Sequence, residues 1–264
     1  MVSELTPGDL VQWTNTWGQI RIGFTSRHGG VSDGEFDSLN LGFHVSDDDA
    51  AVASNRDALE RELGVPCVWM VQVHGTHVAR AGDSRIGTRG YLGVGEADAI
   101  VVENRDVPEG QAGLAAAVMV ADCVPLVIAD RTGARGAVVH VGRAGMDGDI
   151  ASKAVAALAE LGSDPAHLTA VLGPSICGSC YEVPESLADD VDARWPGAKA
   201  QTSWGTTSID IPTVLKGQLE RAGVGEVVDL GECTLENEDL FSHRRATAGG
   251  HKAGRFVGII QVLR

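Results

Sequence analysis

The stretch from residue 113 to residue 129, GLAAAVMVADCVPLVIA, constrains the fold more than any other part of the chain. It is almost wholly apolar, yet Asp122 and Pro125 interrupt it, and it falls short of the ~20 apolar residues that cross a bilayer as a helix. Its two halves, 114–120 and 124–129, read as buried strands joined by a sharp turn at Ala121-Asp122-Cys123. Further strand-like runs occur at 21–25, 68–73, 99–102, 137–141, 168–172 and 256–262.

Helix signals are clear in three places. Residues 51–63 follow the acidic run Asp47-Asp48-Asp49 and stop at Gly64. Residues 150–161 set Ile150, Ala154, Leu158 and Leu161 on one face and stop at Gly162. Residues 212–222 start behind Asp210 and end at Gly223. Strands outnumber helices and do not alternate strictly with them. The expected class is therefore α+β, with layered mixed β-sheets covered by helices. No repeat or linker divides the chain, and the glycine-rich piece 82–95 reads as a loop, so residues 1–264 are expected to form a single domain.

Charge and cysteine content narrow the function classes. Lys and Arg total 21 against 36 Asp and Glu, a net charge of −15, which repels nucleic acid and anionic membranes as bulk partners. A local basic pocket remains compatible with that total. Five cysteines in a chain too large to need stapling argue against a disulfide framework and fit a reducing cytosol. Residues 1–7 have neither the basic nor the apolar region of a secretion signal, so a cytoplasmic protein is expected.

Three residues at strand ends could carry chemistry. His74 lies in Gln72-Val73-His74-Gly75, Cys123 at the turn of the apolar run, and His140 at the close of Ala137-Val138-Val139-His140. Two imidazoles and a thiolate can hold zinc tetrahedrally with a fourth position open. The same residues could instead form a Cys–His nucleophile pair. Each also suits a plain structural role, the cysteine as a small buried residue and the histidines as satisfied core or surface groups. Their separations of 49 and 17 residues leave proximity to the fold.

Cys177 and Cys180 form a single C-x-x-C, whereas a structural zinc site wants a second pair that the chain lacks, so packing or a tight turn is expected there. Arg27 beside Gly29-Gly30 offers a cation and backbone N–H groups to an anion such as phosphate, although composition alone favours a polar hairpin turn there. The basic island Phe241-Ser242-His243-Arg244-Arg245, with Gly254-Arg255 beyond it, reads as a solvated loop. No Walker loop and no G-x-G-x-x-G after a strand occur, leaving ATP and dinucleotide binding without support.

Taken together, these blocks resemble one family. The matching pieces are 25–32, Leu39-Asn40-Leu41-Gly42 through Asn55-Arg56, 72–75, Ala97-Asp98-Ala99, 121–126 and Val139-His140. They continue through Gly173-Pro174 to Val183, then Cys233-Thr234 and 241–245. This pattern is similar to the laccase-domain, or multicopper polyphenol-oxidase-like, family, also described as multifunctional purine nucleoside enzymes. The resemblance implies phosphorolysis of adenosine, inosine, guanosine and methylthioadenosine, and deamination of adenosine. It places the family's zinc ligands on His74, Cys123 and His140. It also implies a fold similar to the catalytic domains of cytotoxic necrotizing factors. The family commonly reads Ala-Gly-Trp-Arg-Gly after the second histidine, whereas this chain reads Val141-Gly142-Arg143-Ala144-Gly145.

Phosphorolysis needs a phosphate held against the ribose C1′, for which Arg27, Asn40, Arg56, Arg143 and Arg244 are the expected substrate and phosphate contacts. The partners expected are thus small-molecule purine nucleosides and phosphate, with zinc as cofactor. Three rivals stand beside this reading. A His₂Cys set could bind copper, but eight histidines without any His-x-His cannot build a multicopper centre of the usual kind. A Cys–His hydrolase or deamidase would use Cys123 as nucleophile, and a binding protein would yield no product.

Overall fold

The computed structural model describes residues 10–133 and 135–264, so the leader-free reading of residues 1–7 lies outside the described residues. Two large mixed sheets stack face to face. The first runs Val11–Trp17, Ile20–Thr25, Phe256–Leu263, Gly113–Val120, Cys67–Val71, Leu92–Glu96 and Arg85–Ile86 in spatial order. The second runs Glu226–Asp229, Leu168–Leu172, Val124–Asp130, Arg135–Val141, Ala99–Glu103 and Val78–Arg80. Both combine parallel and antiparallel neighbours.

The apolar run at 113–129 becomes two buried strands, as its composition demands, but they do not pair with each other. Gly113–Val120 sits in the first sheet and Val124–Asp130 in the second, so the turn at 121–123 carries the chain from one sheet to the other. Alternation assigns each strand's two faces to different cores. Leu114, Ala116, Val118 and Val120 point between the sheets, where they meet Phe24, Ile260, Val127 and Val138. Ala115, Ala117 and Met119 face outward onto Leu59 and Leu63 of the helix Asp49–Leu63. On the far side, Leu126, Ile128 and Val139 pack against the helices Ile150–Glu160 and Ile211–Arg221. The result is a helix–sheet–sheet–helix stack, an α+β fold of layered mixed sheets covered by helices. Its central strands are apolar on both faces because each face is covered.

The three expected helices form with their caps. Asp48 accepts from the Ala50 N–H, Asp149 from Ser152 and Asp210 from Thr213. Two expectations are corrected. The piece 82–95 is not simply a loop, since Arg85–Ile86 forms a two-residue edge strand and Leu92–Glu96 a short strand beside it whose glycines hide the β pattern. The island at 241–245 is not a loop either: Ser242 caps a helix, His243–Ala248, by accepting from the Arg245 N–H. The strand expected at 68–73 ends at Val71, which frees Gln72, Val73 and His74 for a crossover to Val78–Arg80 in the second sheet. The helix Glu185–Arg194 escapes sequence reading because only Ala188 and Val191 of its residues are buried, too narrow a stripe to signal. No helix among the described residues is long and apolar enough to cross a membrane.

The sheets approach closely where glycine permits it. A Cβ on Gly173 would lie 2.2 Å from the ring of Phe24, which is held in the inter-sheet core. Replacing Gly173 with Ala should destabilise the protein by about 1–3 kcal/mol through overpacking. Urea denaturation measures this, and an unchanged midpoint would contradict the packing described.

Candidate active site and metal centre

Two of the sheet-to-sheet crossovers end at the same edge of the stack. The turn 121–123 delivers Cys123, the segment after Val71 delivers His74, and the strand Arg135–Val141 adds His140 from the second sheet. The ligand atoms of the three lie within 4.8 Å of one another. His74 Nε2 is 4.0 Å from Cys123 Sγ, and the two imidazoles meet edge to face with centroids 4.6 Å apart. Gly142 permits this approach, since a Cβ there would stand 2.9 Å from His74 and 3.1 Å from the Cys123 sulfur.

A fully buried carboxylate holds the trio in place. Asp98 accepts hydrogen bonds from the backbone N–H groups of His74 at 2.9 Å, Gly75 at 2.6 Å and Val73 at 3.3 Å. Three successive amides converging on one anion form a nest, and they sustain His74 at φ 58°, a conformation non-glycine residues seldom adopt. The same carboxylate contacts His140 Nδ1 at 2.8 Å. That contact engages Nδ1 and turns Nε2 toward Cys123, the arrangement that orients metal-binding histidines. Burial opposes the charge on Asp98, but the hydrogen bonds from His140, Gly75 and Val73 outweigh it and hold the carboxyl below its ordinary range. Burial likewise pushes the Cys123 thiol up, while His140 and His74 pull it down to about 6. His140, disfavoured as a cation by burial, is raised to about 9 by Asp98 and Cys123.

This donor set fits a metal. A deprotonated sulfur and two oriented imidazole nitrogens are soft and borderline ligands suited to zinc or copper, and three protein ligands leave a fourth position open. Among the described residues, the only other grouping of three or more potential ligands is Cys177, Cys180, Cys233 and Glu236.

Two cavities meet at the trio, sharing His74, Ala121, Cys123 and His243. The larger, of about 620 Å³, is walled by Ile176, Tyr181 and Ile211 and by the cations Arg143 and Arg244. The Arg244 guanidinium donates to the Glu182 carbonyl at 2.9 Å and lies over the Tyr181 ring. Arg143 opens the helix Arg143–Asp147, and its guanidinium has no hydrogen bond or ion pair among the described residues. The smaller cavity, about 330 Å³, adds His44, Gln72 and Arg255. His44 is driven down to about 4 by burial and by Arg255 and Arg56, so it lines this lobe as a neutral imidazole.

Of the five substrate and phosphate contacts expected from sequence, Arg143 and Arg244 line the cavity beside the trio, and three are placed elsewhere. Arg27 donates to the Asp37 carbonyl and stacks on Phe241 in a separate cavity. Asn40 is buried, its amide bonded to Asp47 and Gly42 and its oxygen to the N–H groups of Gly42 and Arg255. Arg56 is buried over the Trp69 ring at 3.7 Å and donates to the Leu41 carbonyl. Asp98, Arg255 and Tyr181 also belong to the site, although sequence reasoning assigns them no role in it. A carboxylate between two alanines at the mouth of a buried strand was the available signal for Asp98. Asp122, the neighbour of Cys123, accepts from Thr234 Oγ1 and the Arg244 N–H, each at 2.6 Å.

Residues 21–263 match a family described as multi-copper polyphenol oxidoreductase laccase. A Streptomyces coelicolor protein named purine nucleoside phosphorylase is 44% identical over 248 residues, covering 93% of this chain and 98% of that protein. A Corynebacterium glutamicum protein of the same name is 41% identical over 239 residues, covering 89% and 93%. Among solved structures, a Neisseria meningitidis protein superposes with a TM-score of 0.81 at 30% identity, over 97% of this chain and 100% of its own. A Geobacillus stearothermophilus protein does so with a TM-score of 0.81 at 26% identity, over 100% and 99%.

Replacing Asp98 with Asn puts an amide NH₂ among donors that need an acceptor. Metal affinity should fall about 10–100-fold, and stability should fall by about 1–3 kcal/mol. Competition with a chelating dye measures the first, and wild-type affinity in that variant would refute the positioning role of Asp98.

Proposed function

The chain belongs to the multi-copper polyphenol oxidoreductase laccase family, and from that membership we propose that it is a zinc-dependent purine nucleoside phosphorylase. Its substrates are adenosine, inosine, guanosine and methylthioadenosine together with phosphate, and it deaminates adenosine at the same site. One juxtaposition carries the reading. The His74–Cys123–His140 trio opens onto a cavity of nucleoside size that holds the unpaired Arg143, in a chain whose relatives are named for phosphorolysis.

In the reaction, the glycosidic bond from C1′ to the purine nitrogen breaks as a C1′–O bond to phosphate forms. Arg143 and Arg244 hold the phosphate at the cavity wall and offset its charge as it approaches C1′. Arg143 thereby takes the place of the arginine that the family commonly carries one residue later. Tyr181, Ile176 and Ile211 supply the apolar surface against which the nucleoside is oriented. His74, Cys123 and His140 would hold a zinc ion, which would supply Lewis-acid polarisation when bound. Asp98 and Gly142 keep that ligand set in register. All five cysteines are free, which suits the cytoplasmic location expected from composition.

A second reading has its own observation: the lowered thiol of Cys123 beside two imidazoles is also what a Cys–His hydrolase would use. The family description further raises copper, which a His₂Cys set can bind in a blue-type site. Chelation separates these readings. Cys123→Ala should remove metal and reduce purine release to background, and chelator treatment of the unmodified protein should do the same reversibly. Arg143→Ala should raise the KM for phosphate roughly 10–100-fold, the loss of a charge-assisted hydrogen bond, while retaining metal. Purine release that survives chelation but is lost on alkylation of Cys123 would favour the hydrolase. A blue absorption band with dioxygen consumption on a phenol would favour copper chemistry.

A further inference from the structure

The lone C-x-x-C lacks a second pair in sequence, but the fold supplies a partner turn. The Ser175 and Cys233 backbones pair as an isolated parallel bridge, with Ser175 N–H donating to the Glu232 carbonyl at 3.0 Å and Thr234 N–H to the Ser175 carbonyl at 3.1 Å. This ladder sets two tight turns side by side. In the first, the N–H groups of Cys180 and Tyr181 both donate to the Cys177 carbonyl at 3.0 Å. In the second, those of Glu236 and Asn237 donate to the Cys233 carbonyl at 3.2 and 2.9 Å. The two turns thus share one backbone pattern, C-x-x-C facing C-x-x-E, and each presents its first and fourth side chains to the other.

The four ligand atoms lie within 4.8 Å of one another. Bonds of ~2.3 Å to a tetrahedral zinc set sulfurs about 3.8 Å apart, so little movement is needed for coordination. Cys180 and Cys233 are buried with Ile176, and Leu235 and Tyr181 pack around them, which keeps the sulfurs away from water. Glu236 is exposed and Cys177 half-buried, which leaves an entry path. The second turn is also braced independently of any ion, because one Arg245 nitrogen donates to the carbonyls of Thr234 at 2.6 Å and Leu235 at 3.0 Å.

We propose that Cys177, Cys180, Cys233 and Glu236 form a second, structural zinc site that clips these two turns together. Its position gives it a purpose. The first turn is flanked by Ile176 and Tyr181, both of which line the larger cavity. The second carries Thr234, whose hydroxyl donates to Asp122, the neighbour of Cys123. A four-ligand closed site here fixes that wall of the pocket and takes no part in the reaction. The inference does not depend on the substrate assigned to the pocket.

The test uses Co²⁺ as probe on the reduced full-length His74→Ala/Cys123→Ser variant, in which the pocket trio is dismantled. That protein should still bind one Co²⁺ per chain, with intense sulfur-to-cobalt charge-transfer absorption and the d–d bands of a tetrahedral ion. Adding Cys177→Ser should abolish that absorption. Adding Glu236→Ala instead, at an exposed position that does not threaten folding, should keep the charge-transfer bands and weaken Co²⁺ binding by at least about tenfold. Zinc should displace the cobalt and raise the midpoint of thermal unfolding. Absence of thiolate–cobalt absorption in the folded double variant overturns the proposal. So does Co²⁺ binding that is indifferent to both Cys177→Ser and Glu236→Ala.

Discussion

Everything at the site hangs on the buried carboxylate of Asp98. An anion with no exposure survives only if its charge is met, and here three consecutive amides and one imidazole meet it. The same four hydrogen bonds settle two unrelated matters. They keep His74 in left-handed backbone at the end of one crossover, and they point a nitrogen of His140, on a different strand, at Cys123. Without a shared acceptor, the two histidines would belong to independent loops.

The layering explains why the trio assembles at an edge. Two sheets that stack must be joined by segments crossing from one to the other, and such segments leave the hydrogen-bonded ladder. At 72–77 and 121–123 they do so side by side, so strained residues collect there: His74 at φ 58° and Asp122 at φ 89°. Strain of this kind persists where surroundings over-determine it. Asp122 is fixed by Thr234 and Arg244, as His74 is fixed by Asp98. The cavity cations come from helices that start beside these crossovers, Arg143 after the strand of His140 and Arg244 after the Ser242 cap.

Much of this was legible in the chain. The apolar run 113–129 foretold two buried strands because full burial leaves no polar alternation, and terminal glycines marked three helices, two of them behind acidic residues and the third by its apolar face. The trio His74, Cys123 and His140 stood out because each closes an apolar run. What escaped was information held in pairing. Nothing local says that adjacent strands enter different sheets, or that Asn40 and Arg56 would be consumed by internal bonds. Their polar groups looked available because the partners, Asp47, Leu41 and the Trp69 ring, are brought to them by the fold. The short strands at 85–86 and 92–96 and the turn 233–236 were missed for the same reason. Short elements draw their definition from neighbours rather than from their own residues.

The central claim is that this pocket transfers a ribosyl group from a purine to phosphate. Phosphorus NMR of the zinc-loaded protein with adenosine and inorganic phosphate tests it most directly. The account predicts a ribose 1-phosphate resonance growing in step with free adenine and vanishing when phosphate is omitted. Adenine accompanied only by free ribose, or no purine release in either condition, would contradict it.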